Sequence, residues 1–182
     1  MEKRVQVVLI NMDLDHFVSA FNKYEIIMAL EHLLSSYPGA TFTVVRLNLE
    51  YNGGPCRSFH EKSHGNNDNL STFEEKMLSK FEELDGMLQH PRSVEGYSIF
   101  CDPVTAGLLG APQTDTLLLG GFYTECEIMA SVIDAVREKV KPVIISDLSS
   151  SRSERIYYKS LDILSLWAEI GDTRELLIKY VH

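Results

Sequence analysis

The chain has 182 residues, a formal net charge of −9 and a hydrophobic fraction of 45%. This length suits one domain with a full core, and we predict a single domain over residues 1–182. The negative charge argues against nucleic acid or an anionic membrane as a partner. The sequence has only three cysteines and no pattern typical of a signal peptide or membrane span, so we predict a cytoplasmic protein.

Strand and helix patterns alternate from the start of the chain. Val5–Ile10 is an apolar run with one Gln, typical of a strand buried on both faces. A helix is predicted over Tyr24–Tyr37, and the β-branched segment Thr41–Leu47 predicts the next strand. This alternation predicts a three-layer, Rossmann-like α/β/α fold with a mostly parallel sheet of about six strands.

Residues 48–90 look like an elaboration of that fold. The segment 48–70 is polar and glycine-rich, and it contains His60-Glu-Lys-Ser-His64. This motif fits a zinc-protease pattern but lacks the helical periodicity that such a site requires, so we predict no metal and no cofactor. A capping box at Ser71 then opens a helix predicted to reach Leu88. Its apolar face would pack the core, form a lid or make a dimer contact, and that face consists of Phe73, Met77, Phe81, Leu84 and Leu88.

The segment from Thr114 to Trp167 carries the most information about function. Thr116–Leu119 predicts a buried strand, and Gly120 and Gly121 permit a tight turn after it. A helix is expected to start near Thr124, with one apolar stripe formed by Met129, Ile133, Val136 and Val140. Such a turn presents backbone N–H groups at a helix N-terminus, where an anion or oxyanion binds well. Cys126 lies in this turn.

The sequence Gly121-Phe-Tyr-Thr-Glu-Cys-Glu-Ile-Met-Ala-Ser-Val-Ile-Asp-Ala resembles the nucleophile turn of the isochorismatase-like cysteine hydrolases. That superfamily includes isochorismatases, nicotinamidases and N-carbamoyl amide hydrolases. Pro142–Ser153 is similar to its next strand and loop, and weaker similarity reaches back to Val5. The resemblance implies a cis peptide bond between Phe122 and Tyr123, beside Thr124. It also implies that the N–H groups of Tyr123 and Glu127 act as oxyanion donors.

The catalytic positions of that family are altered here. Its Asp, Lys and Cys fall on Asn11, Val94 and Glu127, while Cys126 comes one residue early. An inserted residue after the first strand would instead move the base to Asp13, the nearest carboxylate. All three catalytic positions therefore differ from the pattern when no insertion is assumed.

We predict a pocket at the carboxyl ends of the strands, because ligands of parallel α/β sheets bind there. Its expected members are Asn11, Asp13, Tyr123, Cys126 and Glu127, with Phe17, Val94 and Tyr97 beside them. Cys126 is either a nucleophile or a buried core thiol. Two flanking glutamates are expected to raise the pKa of its thiol, which argues against the nucleophile. Glu127 is either an acid–base group or a solvated residue of the first helical turn. Arg152 either binds an anionic ligand or faces solvent.

The altered positions predict an inactive or catalytically changed member that binds a small carbonyl or carboxylate ligand, or a protein partner. The alternative is a divergent hydrolase of a C–N or vinyl-ether bond that uses Cys126 or Glu127 with Asp13. The resemblance also implies a homo-oligomer, and the helix from Ser71 to Leu88 is the candidate contact.

Overall fold

The computed structural model describes residues 4–36, 42–48, 71–88 and 91–181. Its central sheet has six strands in the order β3-β2-β1-β4-β5-β6, and all five neighbouring pairs are parallel. The prediction of a mostly parallel sheet of about six strands is confirmed. The strands are β1 (Val5–Ile10), β2 (Thr43–Asn48), β3 (Arg92–Glu95), β4 (Thr116–Phe122), β5 (Lys141–Ser150) and β6 (Glu169–Gly171).

Helices cover both faces of this sheet. They are α1 (Leu14–Phe17), α2 (Lys23–Ser36), α3 (Thr72–Asp85), α4 (Pro103–Leu109), α5 (Met129–Arg137), α6 (Glu154–Leu164) and α7 (Thr173–Tyr180). One apolar core joins the sheet to α2, α3 and α7, and a second core joins it to α4, α5 and α6. Alternate residues of β1 enter opposite cores, which explains why this strand is apolar along its length: Val7 and Leu9 face one core, and Val8 and Ile10 face the other.

The elaborated helix α3 forms as the capping box predicts. The Ser71 hydroxyl accepts from the Glu74 N–H, and the Glu74 carboxylate accepts from the Ser71 N–H. Phe81 is fully buried and stacks on Phe17 with 4.0 Å between ring centroids. Phe73, which the apolar spacing places on the same face, is 63% exposed, so this face packs the core only in part. The helix enters the core only from its second turn, where Met77 is buried.

The predicted apolar stripe of α5 enters the core only in part. Val140 is buried and Met129 packs against the core, but Ile133 and Val136 are exposed, and the core side of the helix is instead formed by Ile128, Val132 and Ala135. The cause is a π-helical turn over Thr124–Ile128, in which the Ile128 N–H donates to the Tyr123 carbonyl over 3.1 Å. A π turn holds more residues than an α turn, so it moves the apolar face along the sequence.

The motif His60-Glu-Lys-Ser-His64 lies outside the described residues, as does most of the segment 48–70. Within the described ranges, no three or more His, Cys, Asp or Glu side chains are grouped so that they could hold a metal ion. No helix in the same ranges is both long and apolar enough to cross a membrane.

Candidate functional site

The carboxyl ends of β1 and β4 approach each other closely because of Gly121. This residue has a φ of 122°, and a Cβ atom added to it would lie 1.9 Å from the Ile10 carbonyl oxygen. Only glycine allows this backbone conformation and this distance together. The close approach brings the peptide between Phe122 and Tyr123 next to Asn11, the residue that follows β1.

Asn11 uses its side chain to connect three strands. Its Nδ2 donates to the Phe122 carbonyl oxygen over 3.2 Å, and its Oδ1 accepts from the Leu47 N–H over 2.7 Å. The residue is 1% exposed and has a φ of 51°, a left-handed conformation that asparagine tolerates better than most residues. The position that the resemblance assigns to the catalytic base therefore holds a buried amide committed to backbone contacts.

Glu127 binds the N–H group of the same peptide unit. Its Oε2 accepts from the Tyr123 N–H over 3.1 Å, and the residue is 1% exposed. The peptide bond between Phe122 and Tyr123 is cis, where the resemblance places it. Since Asn11 and Glu127 bind the carbonyl and the N–H of one peptide, their contacting atoms lie within about 9 Å of each other by peptide dimensions.

Opposing influences act on the ionisation of Glu127. Burial raises the pKa of this carboxyl above its ordinary value, and the charge of Glu125 acts in the same direction. Hydrogen bonds from the backbone N–H groups of Tyr123 and of Glu127 itself act to lower that pKa, and so does the charge of His16. The Tyr123 N–H is one of the two groups that the resemblance names as oxyanion donors, and in this structure it donates to the Glu127 carboxyl group.

Asp13 is buried and makes contacts through both carboxylate oxygens. Oδ1 caps α1 by accepting from the His16 N–H and lies 2.7 Å from His16 Nδ1, while Oδ2 pairs with Arg46. Burial opposes its ionisation, but the hydrogen bonds from His16 and the charges of His16 and Arg46 hold the pKa of Asp13 below its ordinary value. Asp13 is therefore a weak base.

His16 also lies at this site, although it was not among the site residues predicted from the sequence. Its ring lies against two residues of the nucleophile turn, with centroid distances of 6.3 Å to Phe122 and 5.6 Å to Tyr123. The available signal was Asp13-x-x-His16 directly after a strand end, a spacing that places both side chains on one side of a helical turn.

The other turn residues differ in exposure. Thr124 is fully buried, and its hydroxyl donates to the Ser150 carbonyl over 2.8 Å, which ties the turn to β5. Cys126 is half-buried and does not belong to either apolar core, which disagrees with the interpretation as a core thiol.

The three residues expected beside the pocket occupy different environments. Phe17 is fully buried in the core against α3, and Val94 is 2% exposed in the opposite core. A pocket wall must expose surface to a ligand, and these two side chains do not. Tyr97 is half-buried after β3. At the position of the family's Lys, Val94 supplies packing and no charge.

Arg152 follows β5 and lies over the nucleophile turn instead of facing solvent. Its guanidinium carbon is 5.2 Å from the centre of the Tyr123 ring, and its Nε is 3.5 Å from Glu125 Oε1. The position matches a cation–π contact reinforced by a charge pair.

A cavity of about 250 Å³ adjoins Asn11 and Asp13. Its other polar lining residues are Arg46 and Asp85. Burial and the charge of Asp13 raise the pKa of Asp85, and Arg46 acts against them. The cavity is therefore lined by the Arg46 guanidinium, which can donate hydrogen bonds, and by the carboxyl groups of Asp13 and Asp85, whose pKa values are shifted in opposite directions.

Comparisons with known proteins agree with this geometry. The family model described as the isochorismatase domain matches residues 6–175, so the chain belongs to the isochorismatase family. A search of curated proteins finds no significant match.

Solved structures of this fold cover nearly the whole chain. An isochorismatase-like hydrolase from Alkaliphilus metalliredigens is 14% identical with a TM-score of 0.64, over 97% of this chain and 99% of that one. A cysteine hydrolase from Pseudomonas syringae pv. phaseolicola is 14% identical with a TM-score of 0.62, over 98% and 92%. A pyrazinamidase/nicotinamidase from Streptococcus mutans is 15% identical with a TM-score of 0.57, over 92% and 99%. At such low identity these similarities establish the fold and leave the activity of this chain open.

Proposed function

We propose that this protein is a non-hydrolytic member of the isochorismatase family that binds a small carbonyl or carboxylate ligand, or a protein partner. One observation carries the proposal: Glu127, at the nucleophile's position, places its carboxylate on the Tyr123 N–H. A substrate carbonyl would need that donor to stabilise its developing negative charge. In this structure that donor already binds the Glu127 carboxyl group.

The other catalytic positions support the same conclusion. Asn11 cannot accept a proton from a thiol, and both polar groups of its side chain bind backbone. Asp13 has a lowered pKa and is paired with Arg46, which makes it a poor base for activating Cys126. Because nucleophile, base and cation act as a unit, one surviving member does not restore the rate.

The cavity beside Asn11 and Asp13 is the proposed ligand site. Its volume of about 250 Å³ suits a small molecule, and Arg46 provides hydrogen-bond donors for a carbonyl or carboxylate oxygen. Charge reversal by Arg46→Glu should therefore weaken binding of such a ligand.

A hydrolase screen tests the proposal. The wild-type protein, Cys126→Ala and Glu127→Gln should be assayed on nicotinamide, N-carbamoyl and vinyl-ether substrates. We expect no turnover above the buffer background in any of the three proteins. Robust wild-type hydrolysis that disappears in Cys126→Ala would overturn the proposal and show that Cys126 is the nucleophile. Thiol labelling near neutral pH provides a second readout, since an activated thiol labels rapidly and an ordinary one slowly.

The alternative function is acid–base hydrolysis by Glu127, and one observation favours it. A buried carboxyl with a raised pKa keeps its proton to a higher pH than an ordinary glutamate, and it can donate that proton to the β-carbon of a vinyl ether. Water then adds to the resulting oxocarbenium carbon and returns a proton to the carboxylate, and the hemiketal that forms releases the alcohol. This function predicts turnover that survives Cys126→Ala and is lost in Glu127→Gln.

A further inference from the structure

A groove of about 560 Å³ lies beside the carboxyl-terminal half of β5, between the start of α2 and helix α6. It shares no lining residue with the cavity beside Asn11 and Asp13. Aromatic rings from two separate parts of the chain line it together with acidic side chains. We propose that this groove binds a small organic ammonium cation, which contacts the aromatic rings and the carboxylates at once.

Three aromatic rings of the groove form a continuous cluster. The Tyr157 ring lies 5.2 Å from the Phe21 ring and 5.3 Å from the Tyr158 ring, measured between centroids. The Tyr157 hydroxyl donates to the Ser146 carbonyl over 2.6 Å, which fixes the middle ring against β5. Phe21 and Tyr158 are exposed, so both rings have surface available to a ligand. Ring faces attract cations, and methylated ammonium groups are recognised in this way.

Three carboxyl groups line the same groove, and they belong to Glu25, Asp147 and Glu154. Among the described residues, no Lys, Arg or His lines it, and none forms an ion pair with these carboxyl groups. The groove therefore combines aromatic surface with negative charge that no neighbouring cation neutralises, which favours a positively charged ligand.

Asp147 is the half-buried member of β5 among these carboxyl groups. Its Oδ1 accepts from the Thr173 N–H over 2.8 Å and from the Thr173 hydroxyl over 2.7 Å, which holds the side chain in place. Burial raises the pKa of Asp147 above its ordinary value, although the hydrogen bonds from Thr173 act against this. A cation in the groove would offset the cost of burying this charge, and a neutral ligand would not.

The arrangement fits an organic cation better than a metal ion. A metal needs several ligand atoms within one coordination sphere, and the part of the chain that the structure describes has no group of three His, Cys, Asp or Glu side chains that could supply them. The volume of the groove also suits a small molecule. An alkylated ammonium ion is large enough to contact rings and carboxylates together.

Titration with choline chloride, followed by NMR, tests the proposal, with sodium chloride at equal concentration as the salt control. We expect saturable shifts of the Asp147 and Tyr158 amide resonances, with a Kd in the millimolar range. The uncharged isostere of choline, in which carbon replaces the ammonium nitrogen, should bind about tenfold more weakly or less, because it has the same shape without the charge.

Two substitutions in the groove separate the contributions of charge and ring. Asp147→Asn removes the charge and keeps an oxygen that can accept from Thr173, while Tyr158→Leu removes an exposed ring. Each should raise the Kd for choline about threefold or more. If Asp147→Asn does not fold, Glu25→Gln replaces it with the same expected result, because no hydrogen bond of the described structure uses that side chain.

The matched controls are Glu138→Gln at the end of α5 and Phe73→Leu on α3, two exposed side chains outside the groove. Both should leave the Kd unchanged. Shifts that do not saturate, equal binding of the uncharged isostere, or a Kd that neither groove substitution changes would overturn the proposal. An equal loss in Glu138→Gln would also overturn it, because binding would then reflect general attraction to an acidic surface.

Discussion

A single nitrogen atom distinguishes Asn11 from the aspartate that the family resemblance places at the end of β1. That nitrogen donates to the Phe122 carbonyl in the buried space between β1 and β4. The same side chain accepts from the Leu47 N–H on β2, so it satisfies two backbone groups that have no access to water. Asn11 therefore links backbone groups of neighbouring strands at the position where the family motif has a catalytic base.

Replacing Asn11 by aspartate should therefore destabilise the fold without creating a catalytic base. In Asn11→Asp, a carboxylate oxygen would face the Phe122 carbonyl oxygen, and the hydrogen bond would become a repulsion between buried acceptors. We expect a loss of about 2 kcal/mol or more in the free energy of unfolding at neutral pH, measured by urea denaturation. The matched control is Ser93→Asp on the exposed surface of β3, which should cost less than about 1 kcal/mol. A variant as stable as wild type would show that Asn11 is not a bridge.

At the scale of elements, the capping box and the apolar spacing of α3 predict a helix, but they do not reveal which turn of the helix meets the core. The predicted apolar face begins at Phe73, whereas burial begins at Met77. A π turn has a similar effect on α5, where the buried positions lie one residue earlier than Met129 and Ile133. Side-chain periodicity specifies a face only when the turn geometry is regular.

Two phenylalanines of α3 provide a matched pair that tests this assignment. Phe81→Ala should cost about 3–5 kcal/mol, because it removes a buried ring that stacks on Phe17. Phe73→Ala should stay within about 0.5 kcal/mol of wild type, because most of that ring is already in water. Chemical denaturation followed by circular dichroism gives both values. Equal costs for the two substitutions would contradict the placement of α3.

At the scale of the whole molecule, the layer of α4, α5 and α6 exposes several large hydrophobic side chains. Helix α5 lies in the middle of this layer, because it connects β4 to its neighbour β5. Even so, it exposes Ile133 and Val136. Other exposed large hydrophobic residues on this layer, or just after α6, are Val104, Leu108, Ile156, Tyr158, Ile163, Leu166 and Trp167.

We propose a homo-oligomer that buries this layer, instead of the contact through α3 expected from the sequence. Wild type should be a dimer or larger in light scattering coupled to size-exclusion chromatography at micromolar concentration. Ile133→Lys should dissociate it, because a buried unpaired ammonium is costly. Phe73→Lys on α3 is the control and should leave the mass unchanged. A monomeric wild type, or dissociation only in Phe73→Lys, would refute this interface.

The amino-acid sequence was sufficient to predict the class of fold, and its resemblance to a known nucleophile turn indicated the family. Continuous apolar strands, amphipathic helices and the Gly-Gly turn are local patterns, and they depend on residues within one or two turns of each other. The parallel sheet follows from the alternation of those patterns, because a crossover helix between strands requires it. Asn11, Asp13, Tyr123 and Glu127 were also expected near one edge from strand-end positions alone.

The hydrogen bonds and neighbours of those residues depend on contacts between distant parts of the chain. Asn11 and Phe122 are separated by 111 positions, and their hydrogen bond exists because Gly121 lets β4 approach β1. The position of the Glu127 carboxylate depends on the π turn, and no spacing of residues in the sequence predicts that turn. His16 lies beside the nucleophile turn because α1 packs against the end of β4. Long-range contacts of this kind set the protonation and hydrogen bonding of a site, whereas local sequence sets only the types of residue that reach it.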